Sequence, residues 1–185
     1  MPSDQATSKI NAMVDLIPLG RVDPLAISVV AANLQTMVGI HADTLATRPD
    51  PQYAFLPHRQ QFDALKILKE LSIETDGAPF KLGITDLDIC TPILTFVYGE
   101  SQLGGRTALI SLHRIQGEDR ELTHERAAKI SVHEVGHIFG LAHCWEVRCL
   151  MHFTRNLEQL DALPLRFCDT CMFEITRRLK ILDDG

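Results

Sequence analysis

Apolar residues run almost unbroken through residues 11–19 (NAMVDLIPL) before Gly20 interrupts them, a pattern that predicts an early buried strand. DPLAISVVAANLQTMVG follows. Asp23 is placed to cap a helix with Pro24 at its first position, and Gly39 stops it. Residues 40–45 predict a second strand. After the proline-rich RPDPQYAFLP, the stretch HRQQFDALKILKELS predicts a helix whose apolar stripe is Phe62, Leu65, Leu68 and Ile73. FKLGITDLDIC reads as a strand bending into a loop. ILTFVYGESQLGG reads as a strand ending in a glycine-rich turn, and RTALISLHRI as the strand after it. A long helix is expected from Thr123 through HERAAKISVHEVGHIFG. Little continuous structure is expected beyond residue 141 until a last helix over about 172–182, with Met172, Ile175, Leu179 and Leu182 on its core face.

Strands alternate with helices and then helices take over. This predicts an α/β lobe with a mixed sheet over about residues 1–140 and a smaller lobe over 141–185, the two forming one domain. A chain of 185 residues, 45% hydrophobic, is long enough to bury a proper core. Its net charge of −6 argues against nucleic acid as a main partner, and Arg177-Arg178 is too short a basic run to alter that. The N-terminal stretch carries an early acid and no continuous apolar segment, so no signal peptide is expected, and no stretch suits a membrane span. The expected compartment is the cytoplasm, where clustered cysteines more often hold metal than form disulfides.

That matters because Cys144, Cys149, Cys168 and Cys171 fall within 28 residues, whereas Cys90 stands alone and is expected as a small core residue. Two chelating pairs 18 residues apart are close to zinc-ribbon spacing. Four thiolates would complete a tetrahedron and leave no place for water, which is the chemistry of a structural zinc. Two disulfides, or reduced buried thiols, are the alternatives. So short a lobe gains most from such a staple. Cys171 also falls at the start of the last helix, where the positive end of the dipole favours thiolate.

The segment HEVGHIFGLAH carries a second donor set. His133 and His137, four apart, project from one helical face about 40° apart. Such pairs also occur on solvated faces, but Glu134 beside the first completes the HExxH pattern of zinc hydrolases. His143 would lie about 9 Å further along an unbroken helix, out of reach of the same ion. If Gly140 ends the helix and turns the chain back, all three imidazoles can meet. Three protein ligands leave one zinc position open for water, and Glu134 would serve as general base and acid. In an extended segment His143 and Cys144 point opposite ways, so the cysteine site would fix a ligand of the histidine site.

HExxHxxGxxH with a downstream methionine resembles the metzincin zinc peptidases. HxxGxxHC-x4-C-x-M with a later CxxC, here HEVGHIFGLAHCWEVRCLM and then CDTC, is similar to the archaemetzincins in particular. FVYGESQLGGRTALISLHRI resembles that family's strand, loop and strand before the active-site helix. The resemblance implies a metzincin-like zincin fold: a twisted, mostly parallel sheet, helices above the cleft and the small C-terminal lobe below. It implies Met151 as the methionine of the Met-turn under the catalytic zinc, although ordinary core filling is the plain alternative. It implies residues 98–103 as the upper edge strand, to which an extended peptide could add. The function implied is a zinc metallopeptidase acting on peptides or small proteins; the two donor sets would hold two zinc ions per chain, and a monomer is expected. The rival is a zinc-holding or partner-binding protein with a closed or inactive site, and the ligands alone do not exclude hydrolysis of a non-peptide amide. His113 and His124 are expected on the surface, His152 solvated or bonded locally, and Trp145 packed between the two metal sites. No propeptide cysteine that could block the zinc is expected.

Overall fold

The computed structural model describes residues 13–183, so the leader reading and the first two positions of the expected strand lie outside the described residues. β1 (Val14–Leu19), β5 (Phe80–Thr85) and β8 (Thr107–Ser111) form the parallel centre of a five-stranded sheet ordered β2-β1-β5-β8-β7. β2 (Ala42–Thr44) extends it in parallel, and β7 (Gly99–Ser101) closes it as an antiparallel edge. A second sheet joins β3 (Phe55–Leu56), β4 (Gln61–Asp63) and β6 (Ile89–Cys90).

The three central strands are buried along their whole length because helices cover both faces. α1 (Pro24–Asn33) and α3 (Arg120–Ile138) pack over Val14, Leu16, Leu82 and Ile110, and α2 (Ala64–Ser72) packs over Ile17, Leu19 and Leu109. The twofold alternation of β1 therefore feeds two cores. One polar pair interrupts them. Asp15 and Lys81, opposite each other in register, pair at 2.6 Å, and the Ala78 amide also donates to Asp15. A buried charge is tolerated when it is matched in this way.

Asp23 caps α1 as expected, accepting from the Leu25 amide, and the helix runs through a π turn to Gly39 at φ +80°. The same carboxylate takes Arg120 at 2.7 Å and the His124 Nε2 at 3.0 Å. His124 is thus buried where α1 meets α3, against the expectation of a surface residue. Arg120 first, then His124, holds the Asp23 carboxyl at about 2. A depressed carboxyl contributes stability that is complete above the ordinary carboxylate range and is lost as pH falls from about 4 to about 2. Asp23→Ala should lower unfolding free energy by about 1–2 kcal/mol at neutral pH. Urea titrations at several pH values should show that the deficit shrinks on acidification.

Several elements depart from the sequence pattern. The expected helix over 58–72 starts only at Ala64, because Asp63 caps it by accepting from the Leu65 and Lys66 amides. Phe62 belongs to β4 and packs at a tilt against Phe55. The buried stripe is Ala64, Ile67, Leu68 and Leu71, while Leu65 and Ile73 face out. The strand expected from residue 93 shrinks to β7, since Arg59 draws the carbonyls of Thr91, Leu94 and Thr95 onto its guanidinium and holds a loop there. α3 begins at Arg120, capped by Asp119, a turn before the expected Thr123.

α4 (Leu157–Ala162) was not expected. Two buried cations of α3 hold it: Lys129 donates to the Leu160 and Asp161 carbonyls, and Arg126 makes a two-pronged pair with Asp161. Lys129 satisfies the carbonyl end of a helix too short to stand alone, and Arg126 anchors its Asp161 side chain. α5 (Asp169–Asp183) buries Cys171 and Ile175 with Leu179 beside them; Met172 and Leu182, expected on that face, are exposed. The apolar cluster that starts at Val14 continues to Ile175, so the C-terminal lobe shares the core of the sheet. No described helix is long and apolar enough to cross a membrane.

Candidate metal centre

His133, Glu134 and His137 lie in the last two turns of α3, and the end of that helix decides the site. Gly140 sits at φ +80°, its amide donates to the His137 carbonyl at 2.7 Å, and the Leu141 amide donates to Gly136 at 3.0 Å. This bond pair is a Schellman termination, which needs a left-handed residue that glycine adopts at little cost. The chain turns back at residue 140. It brings His143 beside the other two rings, at centroid distances of 5.5 Å from His133 and 4.9 Å from His137. One nitrogen from each imidazole lies within 4.8 Å of the others.

Backbone carbonyls orient two of the rings. His133 Nδ1 lies 2.8 Å from the Leu150 carbonyl and His137 Nδ1 lies 2.6 Å from that of Leu141. A carbonyl only accepts, so both Nδ1 atoms carry the proton and both Nε2 atoms present lone pairs. Those two Nε2 atoms stand 3.0 Å apart with no proton to share. Two facing lone pairs repel unless a cation lies between them, so the residues fit a metal. Burial also pulls His133 down to about 4, opposed by the Leu150 bond, and lowers His137, so both stay neutral as ligands must.

Glu134 is buried beside the edge strand, where the Ser101 hydroxyl donates to its Oε2 at 2.5 Å. Burial raises its carboxyl above the usual range and the serine bond partly offsets this. Met151 is fully buried beneath α3, its sulfur packed against Gly136. A cavity of about 590 Å³ opens in front of the imidazoles, with Tyr98, Leu150, Phe153, Leu160 and Leu163 among its walls.

The sulfurs of Cys144, Cys149, Cys168 and Cys171 gather in the same way, all within 4.8 Å of one another, and all four are free thiols. Amides of Glu146 and Cys168 donate to the sulfurs of Cys144 and Cys149, while burial pushes the Cys149 thiol up. Four soft donors at one point fit zinc. His143 and Cys144, adjacent in sequence, join different clusters. An isolated strand bridge joins the two segments: the Cys144 amide donates to the Met151 carbonyl, and the His152 ring Nδ1 meets the Cys144 carbonyl at 2.9 Å. Leu150, whose carbonyl orients His133, follows Cys149 directly. Cys149→Ser should therefore loosen metal at the histidines by about 10-fold or more, the usual size of an outer-shell effect. Competition of the variant and the wild type against a chelator measures it.

The remaining expectations divide. Cys90 is a buried core residue, and burial pushes its thiol up. His113 is exposed and His152 is bonded locally. Trp145, expected as packing, is 96% exposed, because the 145–148 turn projects between Cys144 and Cys149 with no element to cover it. Ser101, Gly99 and the Leu141 and Leu150 carbonyls were not found from sequence. Only the alternation that puts residues 99 and 101 on one face of a strand could have flagged the first two.

A parallel sheet with an antiparallel edge, set over a helix that carries HEVGH and a donor cage, defines a zinc-dependent metallopeptidase. Residues 56–177 match the model of peptidase family M54. The chain is 32% identical over 180 residues to the archaemetzincin of Pyrococcus furiosus, covering 90% of this chain and 94% of that protein. It is 37% identical to the archaemetzincin of Methanocaldococcus jannaschii over 69% of this chain and 73% of the relative. The crystal structure of the archaemetzincin of Methanopyrus kandleri superposes at TM-score 0.84 with 30% identity, over 94% of this chain and 99% of that one. That of Archaeoglobus fulgidus, complexed with malonate, gives 0.78 with 31% identity over 88% and 99%. The chain belongs to peptidase family M54, the archaemetzincins.

Proposed function

We propose that His133, His137 and His143 hold a catalytic zinc, that Glu134 is the general base and acid, and that the four clustered cysteines hold a second, structural zinc. The facing Nε2 atoms of His133 and His137, with His143 returned beside them, carry this reading. When bound, the catalytic zinc supplies Lewis acidity, acidifying a water and polarising the scissile carbonyl. Glu134 takes the proton as the water attacks and delivers it to the departing amine nitrogen. Its burial keeps bulk water from competing for that proton. Among the described residues β7 pairs on one side only, with β8, so its outer edge is available to an extended peptide as an added strand. Met151 is the apolar floor of the histidine site. The whole chain forms one metallopeptidase domain that works as a monomer on peptides or small proteins in the cytoplasm.

The open cavity before the imidazoles favours a peptidase over a silent zinc holder. Elemental analysis should find two zinc ions per chain. Mild chelation should remove the histidine-bound ion first, abolish cleavage of a peptide library, and be reversed by added zinc. A protein that cleaves equally well after stripping would rule out the proposal.

A further inference from the structure

We infer that Ser101 is the positioning residue for Glu134, binding one carboxylate oxygen so that the other is left to exchange protons with the reacting groups. This rests on the reading of Glu134 as the general base. A buried carboxylate needs a partner, and among the described residues no arginine or lysine forms an ion pair with Glu134. Its partner is the Ser101 hydroxyl at 2.5 Å, a length in the range of a charge-assisted O–H···O⁻ bond.

The serine is itself firmly placed. Ser101 stands opposite Ala108 in the β7–β8 ladder, and the Gln102 amide donates to the Thr107 carbonyl at 3.1 Å. Beyond it, the Gly104 amide donates to the His137 carbonyl at 2.8 Å, so the segment after the strand is tied to the helix three residues past the glutamate. Gly99, two residues back on the same face, closes the arrangement. A Cβ there would lie 2.8 Å from both Cγ and Oε1 of Glu134. The carboxylate therefore lies against bare backbone, with Oε2 on the serine and Oε1 over Gly99. The hydroxyl removes the rotational freedom that a glutamate without a cation would otherwise keep, and orientation of this kind contributes to rate more than to binding.

The test is steady-state cleavage of one peptide by the zinc-loaded full chain and its variants. Ser101→Ala should lower kcat about 10-fold or more, the usual strength of a hydrogen bond to a charged group. KM and zinc content should stay unchanged, and Ser101→Thr, which keeps the hydroxyl, should recover most of the rate. On a Glu134→Gln background the same alanine change should cost nothing further, because a group that acts through Glu134 has nothing left to position. A merely structural serine would cost the same factor on both backgrounds, and that result would overturn the inference. So would a Ser101→Ala kcat within twofold of wild type while Glu134→Gln is inactive. If Glu134→Gln itself kept full turnover, the underlying reading would fall and the serine's role with it.

Discussion

Glu134→Gln is expected to keep both zinc ions and to lose about 10²- to 10⁴-fold in kcat, the range that a positioned acid or base contributes. Glutamine has nearly the same shape, so it fills the space over Gly99 and can still accept from Ser101 through its carbonyl oxygen. It cannot take a proton from water at neutral pH. His133 and His137 are oriented by the carbonyls of Leu150 and Leu141 rather than by the glutamate, so metal content should not follow activity down. The paired measurement is zinc per chain beside the rate of cleavage of a single peptide. Cleavage at the wild-type rate by the metal-loaded variant would mean that another group carries the proton.

Gly140→Val should act in the opposite sense and lose the metal itself. At φ +80° a β-branched residue is strained by about 1–2 kcal/mol or more. A Cβ at this position would also lie 2.9 Å from the Arg178 guanidinium, a contact that the flexible arginine relieves by moving, so the backbone strain dominates. Relief requires the turn to open, which carries His143 away from the other two rings. Losing one of three ligands should weaken zinc by more than the 10- to 100-fold of an outer-shell change. Zinc should fall from two per chain to one, retained by the cysteines. Gly39→Val is the control: it imposes the same left-handed strain at φ +80°, with no heavy atom within 4 Å of its Cβ and far from the cage in sequence. It should cost stability and leave both metals in place. Calorimetry and elemental analysis of the pair separate local strain from lost coordination.

What could be read directly from the chain were features whose causes are local. Asp23-Pro24 and Gly39 bracket α1 through capping and backbone preference alone. The four-residue histidine spacing and the glycine three beyond His137 belong to one helix and its end. The α/β alternation followed from apolar runs set between helical patterns, whereas the parallel centre of the sheet was implied only by the family resemblance. Elements fixed from a distance were not legible. α4 depends on Lys129 and Arg126, some thirty residues earlier, and the 91–95 loop on Arg59. His124 is buried because α1 brings Asp23 to it across a hundred residues of chain. The orientation of α5 follows Cys171 into the thiol cluster, which turns Met172 outward. In a three-residue edge strand, alternation places Ser101 on the same face as Gly99 but does not say what that face meets, so its role shows only with Glu134 seen against it.

The packing of Met151 against Gly136 has a consequence for how the motif itself should be written. In HExxH the inner two letters are wild cards, since neither side chain reaches the cation. In this chain the second of them is already occupied by a neighbour, because a methyl group there would intrude to 2.6 Å from the sulfur of the fully buried Met151. The shortest residue is thus imposed from below by the floor rather than from in front by the chemistry. A mutational library at position 136 should accept almost nothing unless the methionine is shortened in the same clone.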